Sequence, residues 1–266
     1  MIRIGHYNDL EVKNIATVGL YLTDGKDSVL LPKRYVKGDP QPGDEMTVFV
    51  YLDNENRPVA TTEQPFAEVD QFAFLEVRDV TAHGAFLDWG ISRDLFVAFS
   101  EQRKPMQKGE AHLVYIFIDE MSGRIAATTK WSQFTEAPVD LQEGEEVELL
   151  IADKTELGWK AIINNSVEGL LYSNEVFEPL HPGDKKRGYV KLIRDEGKVD
   201  LRLAPEGYAS VEISTDAVLR YLNAHNGFLP LGDKSPAEDI YRILKMSKKT
   251  FKKSIGALYK KQLINI

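Results

Sequence analysis

The chain has 266 residues, contains no cysteine and carries a formal net charge of −8. The lack of cysteine excludes disulfides, thiolate metal sites and cysteine nucleophiles, and no apolar run approaches the roughly 20 residues of a membrane span. The opening residues lack the apolar core of a signal peptide, so we expect a cytoplasmic protein with no membrane partner.

Charge is distributed unevenly along the chain. Residues 206–266 carry a net charge of +4, whereas the 205 residues before them carry −12. Such an asymmetry indicates different roles for the two parts. The basic end is the part suited to a polyanion such as nucleic acid.

A single pattern occurs three times before the basic end. Each copy contains an upstream and a downstream glycine, 24 or 25 residues apart: Gly19 and Gly43, Gly84 and Gly109, Gly158 and Gly183. Each copy has about five short strand-like runs, and the last two form a hairpin. Short strands with turns at regular spacing predict small all-β barrels rather than βαβ units. We place the three units at 1–65, 66–137 and 138–205.

Residues 206–266 change from a strand period to a helical one. Three short helices are predicted, with N-caps at the following positions: Ser214 or Thr215, Ser235, and Ser247. Three short helices with compact turns in about 55 residues suit a helix-turn-helix or winged-helix domain, although little chain remains for a wing. The predicted fold is therefore mostly β with an α-helical C-terminal domain.

Two stretches resemble known families. The sequence GAFLDWG at Gly84–Gly90, a further strand and the pair Ser100 and Glu101 resemble the S1 domain, an OB-fold RNA-binding unit named after a bacterial ribosomal protein. The second copy resembles it best; the others match in spacing more than in letters. The sequence at Gly227–Lys261 closely resembles the end of the conserved virulence factor B family, bacterial proteins with three S1 domains and a winged helix. This resemblance implies RNA binding and post-transcriptional regulation.

The copies depart from the S1 pattern at two positions. Many S1 domains place a histidine after the apolar pair of the third strand, where this sequence has Pro32, Ala98 and Tyr172. The position of Phe86 holds Tyr21 in the first copy and Lys160 in the third.

Aromatic side chains on outward strand positions are candidate platforms for RNA bases, because every base has a π-face on which a ring can stack. The candidates are Tyr21, Phe86 and Tyr172. Alternatively, Phe86 and Tyr21 pack against a neighbouring unit. For a second aromatic row, at Phe49, Tyr115 and Tyr189, we favour packing between domains.

Basic side chains supply the candidate phosphate contacts. In the third unit these are Lys160, Lys185, Lys186, Arg187 and Lys191; in the tail they are Lys245, Lys248, Lys249, Lys252 and Lys253. The alternative is a solvated face. Like charges four residues apart destabilise a helix by some tenths of a kcal/mol per pair, a cost that an anionic partner would offset.

Catalytic signatures are missing from the sequence. The five histidines are scattered, without metal-ligand spacing, and no serine lies in a G-x-S-x-G elbow. We therefore expect no enzyme activity, cofactor or metal. The predicted partner is single-stranded RNA. The alternatives are a DNA-binding regulator that acts through the winged helix, and a ribosome-associated protein whose acidic barrels bind basic protein.

Overall fold

The computed structural model describes residues 1–176, 178–204, 209–244 and 246–266, without the side chains of residues 209–213. In this part of the chain, fifteen strands form three closed five-stranded barrels, and three α-helices follow. The predicted architecture of three OB-type barrels and a helical C-terminal domain is thus confirmed.

All three barrels share one topology. The first barrel contains β1 (His6–Ala16), β2 (Gly19–Thr23), β3 (Ser28–Pro32), β4 (Glu45–Leu52) and β5 (Pro58–Thr61). The second contains β6 (Phe72–Val80), β7 (Gly84–Leu87), β8 (Leu95–Ala98), β9 (Ala111–Ile118) and β10 (Ile125–Thr128). The third contains β11 (Glu146–Lys154), β12 (Gly158–Ile163), β13 (Val167–Tyr172), β14 (Lys185–Ile193) and β15 (Val199–Arg202). The third and fifth strands of each barrel pair in parallel, and the other pairs are antiparallel. A bulge in each first strand helps it to bend around the barrel.

The upstream glycines of the repeat are required by close backbone contact. A Cβ atom at Gly84 would lie 2.3 Å from the carbonyl oxygen of Val97 on the neighbouring strand. The corresponding distance is 2.1 Å at Gly19 and 2.0 Å at Gly158. No side chain fits there, so a glycine opens the second strand of every copy.

The first two barrels belong to one compact unit, Met1–Phe134. Phe49 of the first barrel is fully buried within the hydrophobic cluster of the second. Its ring centroid lies 5.3 Å from that of Trp89, nearly perpendicular to it, and the Trp89 indole N–H donates to the Ala67 carbonyl at 2.8 Å. The predicted packing role of Phe49 is confirmed.

The other two members of that aromatic row have different neighbours. Tyr115 stacks on Phe134, in the short 3₁₀ helix after the second barrel, at 4.3 Å and 14°. The Tyr189 hydroxyl instead donates to Glu146 of its own barrel at 2.8 Å.

The second compact unit, Thr135–Ile266, holds the third barrel and the helices. These are α1 (Ala209–Ala224), α2 (Ala237–Leu244) and α3 (Lys248–Lys260). The Tyr241 hydroxyl of α2 donates to the Ser173 carbonyl of the barrel at 3.2 Å. Residues 261–266 form no strand. The predicted boundaries near 65 and 137 remain predictions, and the one at 205 falls outside the described residues.

Helix starts were predicted with mixed success. Ser247 caps α3 as expected, because its hydroxyl oxygen accepts the Thr250 N–H at 3.1 Å. Ser235 accepts the N–H of Gly232 in the turn before α2. The predicted caps of α1 are wrong: the helix begins at Ala209, and Ser214 and Thr215 lie buried inside it. Burial of that helix face outweighs the preference of Ser and Thr for helix ends.

Candidate nucleic-acid interface

The second barrel presents two phenylalanine rings side by side on its outer surface. Phe86 on β7 pairs with Phe96 on β8, and their ring centroids are 5.1 Å apart with 48° between the planes. Both rings are half-buried, whereas the alternating Leu87 and Leu95 are buried in the barrel core. The second and third strands carry the oligonucleotide-binding face of OB folds. Two partly exposed rings at this place can stack on unpaired bases.

Phe86 is a candidate platform for bases from the sequence alone, whereas Phe96 is not among the sequence-based candidates. The signal was available, because the alternation in β8 places Phe96 on the same outer face as Phe86 once the two strands are paired. A Cβ atom at Gly84 would lie 2.9 Å from the Phe96 ring. The repeat glycine therefore makes room for this ring as well as for the backbone.

Acidic side chains border the ring pair. Asp79 lies opposite Phe86 in the strand register. The Arg78 guanidinium bridges the carboxylates of Asp88, at 2.9 Å, and Asp94, at 2.8 Å. The face therefore offers stacking surface but little net positive charge for phosphates.

The other two barrels carry different side chains at the matching positions. The first has Tyr21, 37% exposed, paired with Leu30. The third has Lys160 paired with Leu170, and the Lys160 ammonium lies 2.6 Å from the Glu168 carboxylate. The barrels are therefore not equivalent as platforms for bases.

The third barrel has an aromatic residue two positions further along the same face, at Tyr172. Its hydroxyl accepts a hydrogen bond from Arg194 at 2.6 Å, and the Lys191 ammonium lies 5.9 Å from its ring centre. Arg194 also donates to both carboxylate oxygens of Asp200, which is only 5% exposed. The hydrogen bonds and charge of Asp200 raise the pKa of Arg194. Arg194, held by the buried carboxylate of Asp200, therefore keeps the Tyr172 hydroxyl in place.

Most predicted basic residues of the third barrel are paired with acids. Lys186 lies 3.1 Å from Glu178 and Arg187 lies 3.3 Å from Glu146. Lys191 lies 2.5 Å from Glu175. Lys185 is exposed, and no ion pair links it to the residues described. This strand therefore presents much less free positive charge than its sequence suggests.

Helix α3 presents the tail lysines. Its inner face is formed by Phe251, Ser254 and Leu258, all buried, and no acidic residue occurs within the helix. The outer face carries Lys249, Lys252 and Lys253, whereas Lys248 is half-buried. The Lys252 ammonium lies 3.4 Å from the carboxylate of Asp233. Lys245 lies outside the described residues.

The described residues contain no group of three or more His, Asp or Glu side chains that could hold a metal ion. Among the described helices, none has the length and apolar character needed to cross a membrane.

Comparison with known proteins agrees with this architecture. The S1 domain family model matches residues 4–63, and the CvfB-like winged helix domain model matches residues 216–266. The S1 match falls on the first barrel, although the motif letters resemble the family best in the second.

Similar proteins cover almost the whole chain. "Uncharacterized protein YitL" of Bacillus subtilis is 30% identical over 97% of this chain and 90% of its own length. "Conserved virulence factor B" of Staphylococcus epidermidis is 27% identical over 96% of this chain and 91% of its own. A crystal structure of a Streptococcus pneumoniae multidomain protein with nucleic acid binding domains covers 97% of this chain and 93% of its own, with 20% identity and a TM-score of 0.43.

Tandem S1-type barrels followed by a winged-helix domain define a class of modular nucleic-acid-binding proteins. Within that class, the chain belongs to the conserved virulence factor B family, as the resemblance of Gly227–Lys261 predicted.

Proposed function

We propose that this protein is a non-enzymatic RNA-binding protein of the cytoplasm, that its ligand is single-stranded RNA, and that it acts as a post-transcriptional regulator. S1 domains are OB folds, which bind oligonucleotides through the face of their second and third strands. For this chain, we propose that the oligonucleotide bound is single-stranded RNA.

The pair Phe86 and Phe96 is the observation that carries the proposal. Stacking of a base on an aromatic ring contributes roughly 1–3 kcal/mol, and it requires a base that is not already stacked in a duplex. Two adjacent half-buried rings suit consecutive unpaired bases. Such a site has little sequence preference, since stacking does not read base edges.

The α3 lysines supply the electrostatic part of the proposal. The barrels are acidic, so they attract a polyanion poorly, and exposed charges further apart than about 8–10 Å are screened at physiological salt. Lysines concentrated on one helix lie close enough together to attract a phosphate backbone despite this screening.

Binding of duplex DNA is the alternative that a specific observation favours. α2 and α3 occur in the order of a helix-turn-helix, in which the second helix enters the major groove. Against this stands the ring pair on the outer face of the second barrel, because a ring can stack only on a base that is not already stacked in a duplex.

A direct comparison of ligands tests the proposal. The full chain is titrated, at one salt concentration, with pyrimidine-rich single-stranded RNA of about 20 nucleotides, longer than the 4–16 that an OB fold covers, and with duplex RNA and duplex DNA of equal length. We expect the single strand to bind most tightly, as measured by fluorescence anisotropy. Tighter binding of duplex DNA would establish the alternative, and affinity for none of the three would refute both.

A further inference from the structure

Gly256 lies at the centre of the exposed face of α3. Residues three, four or seven positions away share a helix face, and every described neighbour at those offsets on α3 is exposed: Lys249, Lys252, Lys253, Tyr259 and Lys260. The face is therefore a bare stretch of helix backbone surrounded by four lysines and a tyrosine.

The fold itself does not require a glycine at this position. A Cβ atom at Gly256 would meet no atom within 4 Å, and the backbone is helical. This is the opposite of Gly84, where a Cβ atom would collide with Val97. A glycine inside a helix lowers helix stability relative to alanine. The helix is thus weakened at the middle of its basic face without any internal packing reason.

We infer that Gly256 is the point where the sugar–phosphate backbone of an RNA strand crosses α3 in direct contact with the helix backbone. Glycine commonly occupies positions where a backbone and a ligand approach closely. Lysines on both sides along the helix axis can reach phosphates before and after the crossing point, and Tyr259, 56% exposed, can stack on a base beside it. Lys252 would exchange Asp233 for a phosphate. This inference rests on the proposed function and identifies how the strand lies on α3.

Substitution of Gly256 tests the inference because stability and affinity should change in opposite directions. Gly256→Ala adds one methyl group in open space, so it should raise the thermal midpoint of the full chain, followed by circular dichroism at 222 nm. The same methyl group should weaken binding of single-stranded RNA. Gly256→Leu should weaken it roughly fivefold or more, as expected when a packed contact is forced apart. The salt dependence of binding should not change, since no charge is removed.

Gly232→Ala is the matched control. Gly232 lies in the loop between α1 and α2, and a Cβ atom there also meets nothing within 4 Å, so this variant should bind like the wild type. Wild-type affinity of Gly256→Leu would overturn the inference. It would leave the proposed function standing if the full chain still binds single-stranded RNA more tightly than duplex DNA, and would count against both if it does not.

Discussion

Neutralising the α3 lysines should weaken RNA binding in a way that depends on salt. The perturbation is the replacement of Lys248, Lys249, Lys252 and Lys253 by glutamine. Each phosphate neutralised on a single strand contributes about −0.7 to the slope of log affinity against log salt. Three of these lysines are exposed and Lys248 is half-buried, so we expect the slope to flatten by about 2–3 units. Over a fourfold rise in salt, a change of 2.8 units corresponds to about 50-fold in affinity.

The assay is fluorescence anisotropy with single-stranded RNA at several salt concentrations, with circular dichroism as a check on folding. Helical content should persist, since glutamine is nearly as good a helix former as lysine and the buried Phe251 and Leu258 are untouched. A variant with four exposed lysines of the compact unit Met1–Phe134 replaced controls for total charge: Lys26, Lys37, Lys104 and Lys108. An unchanged slope in the α3 variant, with helical content intact, would show that these lysines face only solvent.

Four further substitutions test the roles of single residues in binding and in folding. Phe86→Ala should lower RNA affinity by about 1 kcal/mol or more while the barrel stays folded. Leu87→Ala, at a fully buried position, should instead destabilise the fold by roughly 2–5 kcal/mol. If urea denaturation shows an equal loss of stability in both variants, Phe86 is a packing residue. Ser247→Ala removes the acceptor of the Thr250 N–H and should cost about 1 kcal/mol of helix stability, and an unchanged melting curve would contradict that. Gly84→Ala forces a methyl group against a carbonyl oxygen and should cost roughly 1–3 kcal/mol, unless urea denaturation shows that the neighbouring strand moves freely.

The repeated β pattern was predictable because it depends on local chemistry. The glycine spacing reflects a strand that must pass close to its neighbour, as Gly84 does beneath Val97, and alternation alone assigns Leu87 to the core. The α3 cap was also visible, since Ser247 acts on an N–H only three residues away.

The electrostatics of the candidate site could not be predicted in the same way. Arg187 pairs with Glu146, 41 positions away, and Lys186 pairs with Glu178 across a turn, so a run of basic letters overstated the free charge of β14. Asp200 belongs to a polar strand face by parity, yet it is buried beneath Arg194. Such pairings depend on which strands become neighbours, and that information lies in the tertiary structure.

The burial of Phe49 beside Trp89 makes the first two units depend on each other. A copy that folds by itself can be moved, lost or exchanged without harm to its neighbours. Here the first copy contributes a ring to the core of the second, and an excised second copy would lose that ring and leave Trp89 uncovered. The three units share one strand order and one glycine spacing. The first two nevertheless pack against each other through Phe49 and Trp89, and replacing either unit with the third would remove one of these two rings.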